Sequence, residues 1–243
     1  MFEFTVSAER ANLHYIDFLH TKLQKAIFAA DAVIALSEAD DRIFFSIGCE
    51  ESASADIESL LFDGIADVFA LGFKNDYLKR NLAVCGEGLL GRTVLNTMTV
   101  LDSDAEKSLV RRALKGESKV ALEGFFEFRL QELKERWSEV VQLANGNSLM
   151  FYDESAVCDF LSFLIDSIPQ NADYIKVIKH GERGELLDGS GKQIAVTEIL
   201  DKSYLSDEER LLFNVICLSP KRVTVENKKM FSDEFNGLIS ELF

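Results

Sequence analysis

Over residues 75–145 apolar side chains recur at three- and four-residue steps, and no stretch alternates as a strand would. Leu78, Leu82, Cys85 and Leu89 form one stripe, and Leu90, Val94, Met98 and Leu101 continue it on a shifted face. "DSDAEKSLVRRALKG" reads as a capped helix stopping at Gly116, and Phe126, Leu130, Leu133, Trp137, Val140 and Ala144 keep step through the next. A middle this helical can bury its stripes only against other helices or the covered face of a sheet. The flanks supply strands. "MFEFTV" alternates Phe2, Phe4 and Val6 to one side, and "RIFFSI" repeats the pattern. Between them Ser7 reads as an N-cap, followed by Ile16, Leu19, Leu23, Ile27, Ala30 and Ile34 at helical spacing. A second helix is expected over residues 55–71.

The last ninety or so residues change character. A helix over residues 153–168 ends at Pro169, and "DYIKVIKH" is a strand with Tyr174, Lys176, Ile178 and His180 on one side. "GERG" and "DGSG" punctuate short runs in the manner of a β-meander. "SDEERLLFNVICL" carries a capping box at Ser206 and Glu209, and a strand and a terminal helix follow it. A helix between two strands favours a crossover, hence a mixed sheet. The expected class is α+β and mostly helical, with an N-terminal βαβα lobe over residues 1–73, a helical middle over 74–148 and a C-terminal mixed-sheet lobe over 149–243.

Composition narrows the function. The chain has 243 residues, 41 acidic against 26 basic, and a net charge of −15. That field repels nucleic acid and anionic lipid at long range. The most apolar run, "AIFAADAVIAL", has eleven residues and contains Asp31, so it reads as a core helix rather than a membrane span. Glu3, Glu9, Arg10 and Asp17 break any secretory leader, and a cytoplasmic protein is expected. Cys49, Cys85, Cys158 and Cys217 form no C-x-x-C pair and read as buried thiols.

"VCGEGLLGRTVL" spells the dinucleotide pattern G-x-G-x-x-G at Gly86, Gly88 and Gly91. A nucleotide site needs a strand before it, a helix opening at it and an acidic residue on a second strand about 20 residues on. The preceding stretch has a helical stripe, and Glu106 lies at that offset inside a helical pattern. The glycines therefore read as packing positions in or beside helices, and no cofactor is expected. His14 and His20 point about 120° apart on a helix, and His180 closes a strand, so the three histidines make no metal or catalytic set. "DGSGK" over residues 188–192 lacks the later oxygen ligands of a calcium loop and reads as a hairpin turn. No catalytic, cofactor-binding or metal-ligating residue is assigned.

What remains is a candidate interaction surface. Phe125, Arg129 and Trp137 lie in an aromatic-rich helix, where Glu132 is three residues from Arg129 and can pair with it. Lys221 and Arg222, with Lys228 and Lys229, concentrate positive charge in an acidic chain.

"GFFEFRLQELKERWSEVV", "YIKVIKHGERGELLDGSGKQI" and "SDEERLLFNVICLSPKRVTVEN" occur in an order that resembles the YtxC-like family, sporulation-associated proteins of spore-forming Firmicutes. The resemblance covers residues 124–227, and members of the family often carry a histidine where this chain has Glu226. It implies a setting in sporulation and no established activity, so no catalytic residue carries over. The expected function is a non-enzymatic role through contacts with an unknown protein partner or through self-association. The alternatives are a nucleotide-responsive or enzymatic protein using the C-terminal sheet, and nucleic-acid binding through residues 221–229.

Overall fold

A computed structural model describes residues 1–29, 32–83, 88–148, 153–181, 183–196, 199–200 and 205–243. Of the described residues helix accounts for 61% and strand for 19%, in two small mixed sheets, which is the α+β class expected. In chain order the elements are β1 (Phe2–Glu9), α1 (Leu13–Ala29), β2 (Val33–Ala39), β3 (Arg42–Cys49), α2 (Ser54–Asp67), a π-helical stretch (Val68–Phe73) and α3 (Lys74–Asn81). Then come α4 (Gly88–Val100), α5 (Ser103–Leu114), β4 (Lys119–Ala121), α6 (Leu122–Arg129), α7 (Gln131–Gly146) and α8 (Glu154–Asp166). The chain closes with β5 (Ile175–His180), β6 (Arg183–Leu187), α9 (Asp207–Leu218), β7 (Val223–Val225) and α10 (Asp233–Leu242). Where the sequence suggests three parts, the folded chain divides into two compact units, Met1–Lys74 with Ser103–Ser138, and Asn75–Asp102 with Glu139–Phe243.

The first unit is built on a sheet of order β2-β3-β1-β4. β3 is antiparallel to both β1 and β2, and β4 runs parallel to β1. β1 and β2 are therefore parallel to each other with β3 inserted between them, a split β-α-β unit. Phe4, Val6 and Ala8 of β1 and Ile43, Phe45 and Ile47 of β3 are buried on one face with Ile16, Leu19 and Leu23 of α1. Residues of opposite parity take the other face, where Glu3, Thr5 and Phe44 are exposed or half-buried and Ser7 alone of those in β1 is buried. That alternation is the pattern of a sheet covered on one side.

Several sequence expectations fail in this unit. Ser7 does not cap a helix; it is a buried residue of β1, which runs on to Glu9. The helical stripe ends at Ala29, and Val33–Ala39 is a strand, so "AIFAADAVIAL" is not one core helix. Ile34 fits a 3.6-residue period from Ile27 only by coincidence, and the β-branched pair Val33-Ile34 suits the strand it occupies. Ala30, a member of the stripe, lies outside the described residues. The middle also holds a strand: β4 has just three residues, too short to show alternation. "GFFEFRLQELKERW" is two helices, because Leu130 leaves helical geometry (φ −113°, ψ 36°) and buries its own side chain.

The π-helical stretch carries Gly72 near its end, and Gly72 faces the ring of Tyr15 on α1. Any Cβ there would overlap Tyr15 Cε1, and the Tyr15 ring is itself buried and stacked on Phe73 at 5.2 Å.

The second unit holds the sheet β6-β5-β7, with β6 antiparallel and β7 parallel to β5, the mixed sheet expected from the crossover. Gly181, at φ +65°, turns the β5–β6 hairpin. The third arm of the anticipated meander is reduced to a single bridge, Leu187 to Gln193. Ser206 and Glu209 form the capping box reciprocally, at 3.3 and 2.6 Å. The Asp153 carboxylate caps α8, and Ser232 caps α10.

Gly72→Ala is expected to destabilise the protein by about 1–3 kcal/mol through overpacking. Measured by urea unfolding, the loss shrinks when Tyr15→Leu is combined with it; full additivity of the two changes contradicts the contact.

Candidate interaction surface

Among the described residues β2 is an outer strand of the first unit's sheet and pairs with β3 alone. Pairing runs without a bulge from Val33↔Gly48 to Ala39↔Arg42. Natural edge strands usually carry proline, glycine bulges or several charges that discourage further pairing. Val-Ile-Ala-Leu-Ser-Glu-Ala has one charge, Glu38, and that carboxylate is bonded to Arg10 at 2.6 Å. Val33 is 70% and Leu36 55% exposed, and Phe28, on the last turn of α1, is 87% exposed. Ala32, the residue before β2, donates its N–H to the Ile27 carbonyl of α1 at 3.2 Å. The opposite edge, β4, is only three residues long.

At the β4 side of the sheet, away from β2, the open face forms a groove of about 600 Å³ lined by Glu3, Thr5, Ser7, Phe44 and Lys119. Thr5 and Ser46 hydroxyls bond each other at 2.9 Å, and Arg42 reaches Ser7 and Glu123. Burial raises the pKa of Glu123, but bonds from Asn12, the Glu9 N–H and Arg42 outweigh it and hold the carboxyl below its ordinary range.

The residues singled out in the sequence separate into core and surface. Phe125 is buried, and Trp137 has no exposed surface, so neither is available to a partner. Both belong to an aromatic cluster in which Phe126 stacks on Trp137 at 5.5 Å and Phe69 approaches Phe125 at 5.7 Å. An aromatic-rich amphipathic helix turns that face inward because the core gains most from it, about 1.5–3 kcal/mol per fully buried side chain. Arg129 is exposed and pairs with Glu117 at 2.7 Å rather than with Glu132, which bonds Arg136. Lys221 pairs with Asp173 at 2.6 Å, and Arg222 lies over the Tyr174 ring at 5.3 Å. Both basic side chains therefore serve their own strand ends.

One polar cluster is invisible as a motif. Lys74 and Glu106 are buried ion partners at 2.9 Å, and Glu106 also accepts from the Trp137 indole N–H at 2.8 Å. Lys107 and Lys22 both reach Asp67 in the same unit. A buried ammonium is tolerated only with such a partner. Three separated residues of unlike type carry no spacing signature, and the sequence shows only that Glu106 has a helical context.

The glycine pattern meets one of its conditions: a helix, α4, does open at Gly88, whose φ is +89°. Its first free N–H groups are taken from within the protein. Leu89 and Leu90 donate to Glu234 Oε1 at 2.9 and 3.2 Å. Before the motif stands a helix, α3, and Glu106 is engaged in the buried cluster. Gly86 and Cys85 lie outside the described residues.

Asp188 accepts from Ser190 and Lys192 within its own turn, as a hairpin loop does. His14 lies against Tyr15, His20 against Phe45, and His180 is exposed at the end of β5. Burial pushes the Cys158 thiol up to about 11, with Glu241 adding to the shift, so it stays protonated at neutral pH. Among the described residues no group of three or more histidine, cysteine or acidic side chains is placed to hold a metal ion. No described helix is long and apolar enough to cross a membrane. No family model, curated protein or solved structure matches the chain.

Glu106→Ala removes the carboxylate shared by Lys74 and Trp137 and is expected to cost about 3–5 kcal/mol. Lys74→Met with Glu106→Gln retains an acceptor for the indole and should recover most of that loss. Urea unfolding read by the fluorescence of the single tryptophan compares them; equal losses refute the pairing. At α4, Glu234→Ala should cost about 1 kcal/mol and Glu234→Gln only a few tenths. Thermal unfolding in which both variants match the wild type would show that the cap contributes nothing.

Proposed function

We propose that the protein is a YtxC-like cytoplasmic protein of spore-forming bacteria that works by binding another polypeptide and not by catalysis. The observation that carries this reading is the unprotected apolar edge of β2, with Val33, Leu36 and the neighbouring Phe28 exposed. Monomeric proteins seldom leave a seven-residue, bulge-free edge open, because each unpaired backbone group is a template for another strand. The order of the three segments between residues 124 and 227 supports the family assignment. The nucleotide reading loses support from the Glu234 carboxylate at the α4 N-terminus. The nucleic-acid reading loses support from the ion pair of Lys221 and the stacking of Arg222.

Purified protein at micromolar concentration is expected to self-associate or to retain a protein from a sporulating-cell lysate, and to show no thermal shift with nucleotides. Absence of both associations removes the reading. A nucleotide-dependent shift would favour the enzymatic alternative, and binding to DNA or RNA that weakens steeply with salt would favour the nucleic-acid one.

A further inference from the structure

We propose that the partner of the β2 edge is a second copy of this chain, added antiparallel to β2 about a two-fold axis at Ala35, so that two four-stranded sheets join into one of eight. The inference rests on the protein-contact reading above and commits it to one occupant.

Charge is the first constraint. Each chain carries a net charge of −15, so two copies repel at long range and the meeting surfaces must add no opposed acids to that repulsion. β2 meets that requirement. Its one charge, Glu38, is already balanced by Arg10. With Ala35 opposite Ala35, each Leu36 lies across from the other copy's Ile34, and each Val33 from its Ser37. Position 38 then falls opposite position 32, an alanine, so no carboxylates face each other. Apolar and small pairs opposite one another are the favourable cross-strand unit.

Symmetry is the second. An antiparallel strand pair is its own image under a two-fold rotation, so a single edge supplies both halves of the interface. The unbroken register of β2 on β3 keeps the strand straight enough to accept a second neighbour on its free side. β4 offers only three residues and could not compete as an edge.

Size is the third. Seven residues span about 23 Å, and a sheet layer with its helix layer is roughly 20 Å deep, giving a facing area on the order of 500 Å² per copy. That falls below the ~800 Å² per partner of a standard interface. The dimer is accordingly weak and reversible.

Sedimentation of the full chain from about 1 µM to about 300 µM is expected to show a reversible monomer–dimer equilibrium. Leu36→Lys places a charge opposite Ile34 at a half-exposed position and should weaken dimerisation at least tenfold with an unchanged circular dichroism spectrum. Phe163→Lys, at another exposed apolar residue on α8, should leave the dimer intact. Ala35→Cys should give a reducible covalent dimer under mild oxidation, and Leu36→Lys in that background should suppress it. A wild type monomeric throughout the range overturns the proposal, as does a dimer insensitive to Leu36→Lys. If that monomer instead retains a lysate protein that the Leu36→Lys variant releases, the contact reading stands and only the second copy is wrong. If it retains nothing, both fall.

Discussion

A single buried carboxylate sets the terms for the first unit. Glu106 must balance the Lys74 ammonium and accept the Trp137 indole N–H, both in a region closed to water. Charges so placed cost several kcal/mol each unless their partners are in position. Three segments far apart in the chain are thereby held to one arrangement, which also holds the packed rings of Phe69, Phe73, Phe125 and Phe126. The π-helical stretch that ends beside Lys74 belongs to the same solution. Its extra residue per turn accompanies a glycine at the Tyr15 contact, and a wider helix is tolerated there because all but its last residue are buried.

The one-sided sheet follows from where those aromatics go. With α1 and the core covering one face, the strands alternate buried and open residues, and among the described residues the outer strand β2 pairs with β3 alone. β2 shows the consequence. On a covered inner strand such as β3 every second residue is buried, whereas on β2 not one residue is. The chain thus places apolar side chains at a position where folding recovers little from them. Such placement is expected where a second surface completes the burial. It is this contrast between neighbouring strands, rather than exposure alone, that separates β2 from an ordinary surface segment.

What can be read from the sequence tracks how local the controlling interaction is. The capping box at Ser206, the stop at Gly116 and the strand β5 involve residues within a few positions of each other, and all appear as expected. The mixed character of the β6-β5-β7 sheet is legible too, because a helix between two strands leaves few connections. β2 looks helical along the chain because Ile34 sits seven residues from Ile27, a spacing that fits a helix as readily as it fits two separate elements. β4 escapes notice because three residues cannot display a period. Trp137 and Phe125 look like surface candidates since an amphipathic stripe states only that one side is apolar; in the fold that side turns into the core, where Glu106, thirty-one residues away, accepts the Trp137 indole N–H. Asp173 and Glu117 likewise pair with Lys221 and Arg129 from positions that no local spacing indicates.

The glycine pattern at residues 86–91 shows the same dependence on distant residues. A helix N-terminus with an accessible backbone attracts an anion whatever the source of that anion. Along the chain, Gly88 and Gly91 offer such an end with the spelling of a nucleotide site. In the folded protein, a carboxylate 145 positions beyond Leu89 occupies it, in the second unit where both reside. The requirement for negative charge at the start of α4 is genuine, and Glu234 satisfies it internally. A phosphate arriving at the same N–H groups would have to displace a tethered anion while meeting the field of a strongly acidic chain. The motif therefore reports a physical need of the helix, and the identity of the group that meets it belongs to the tertiary structure alone.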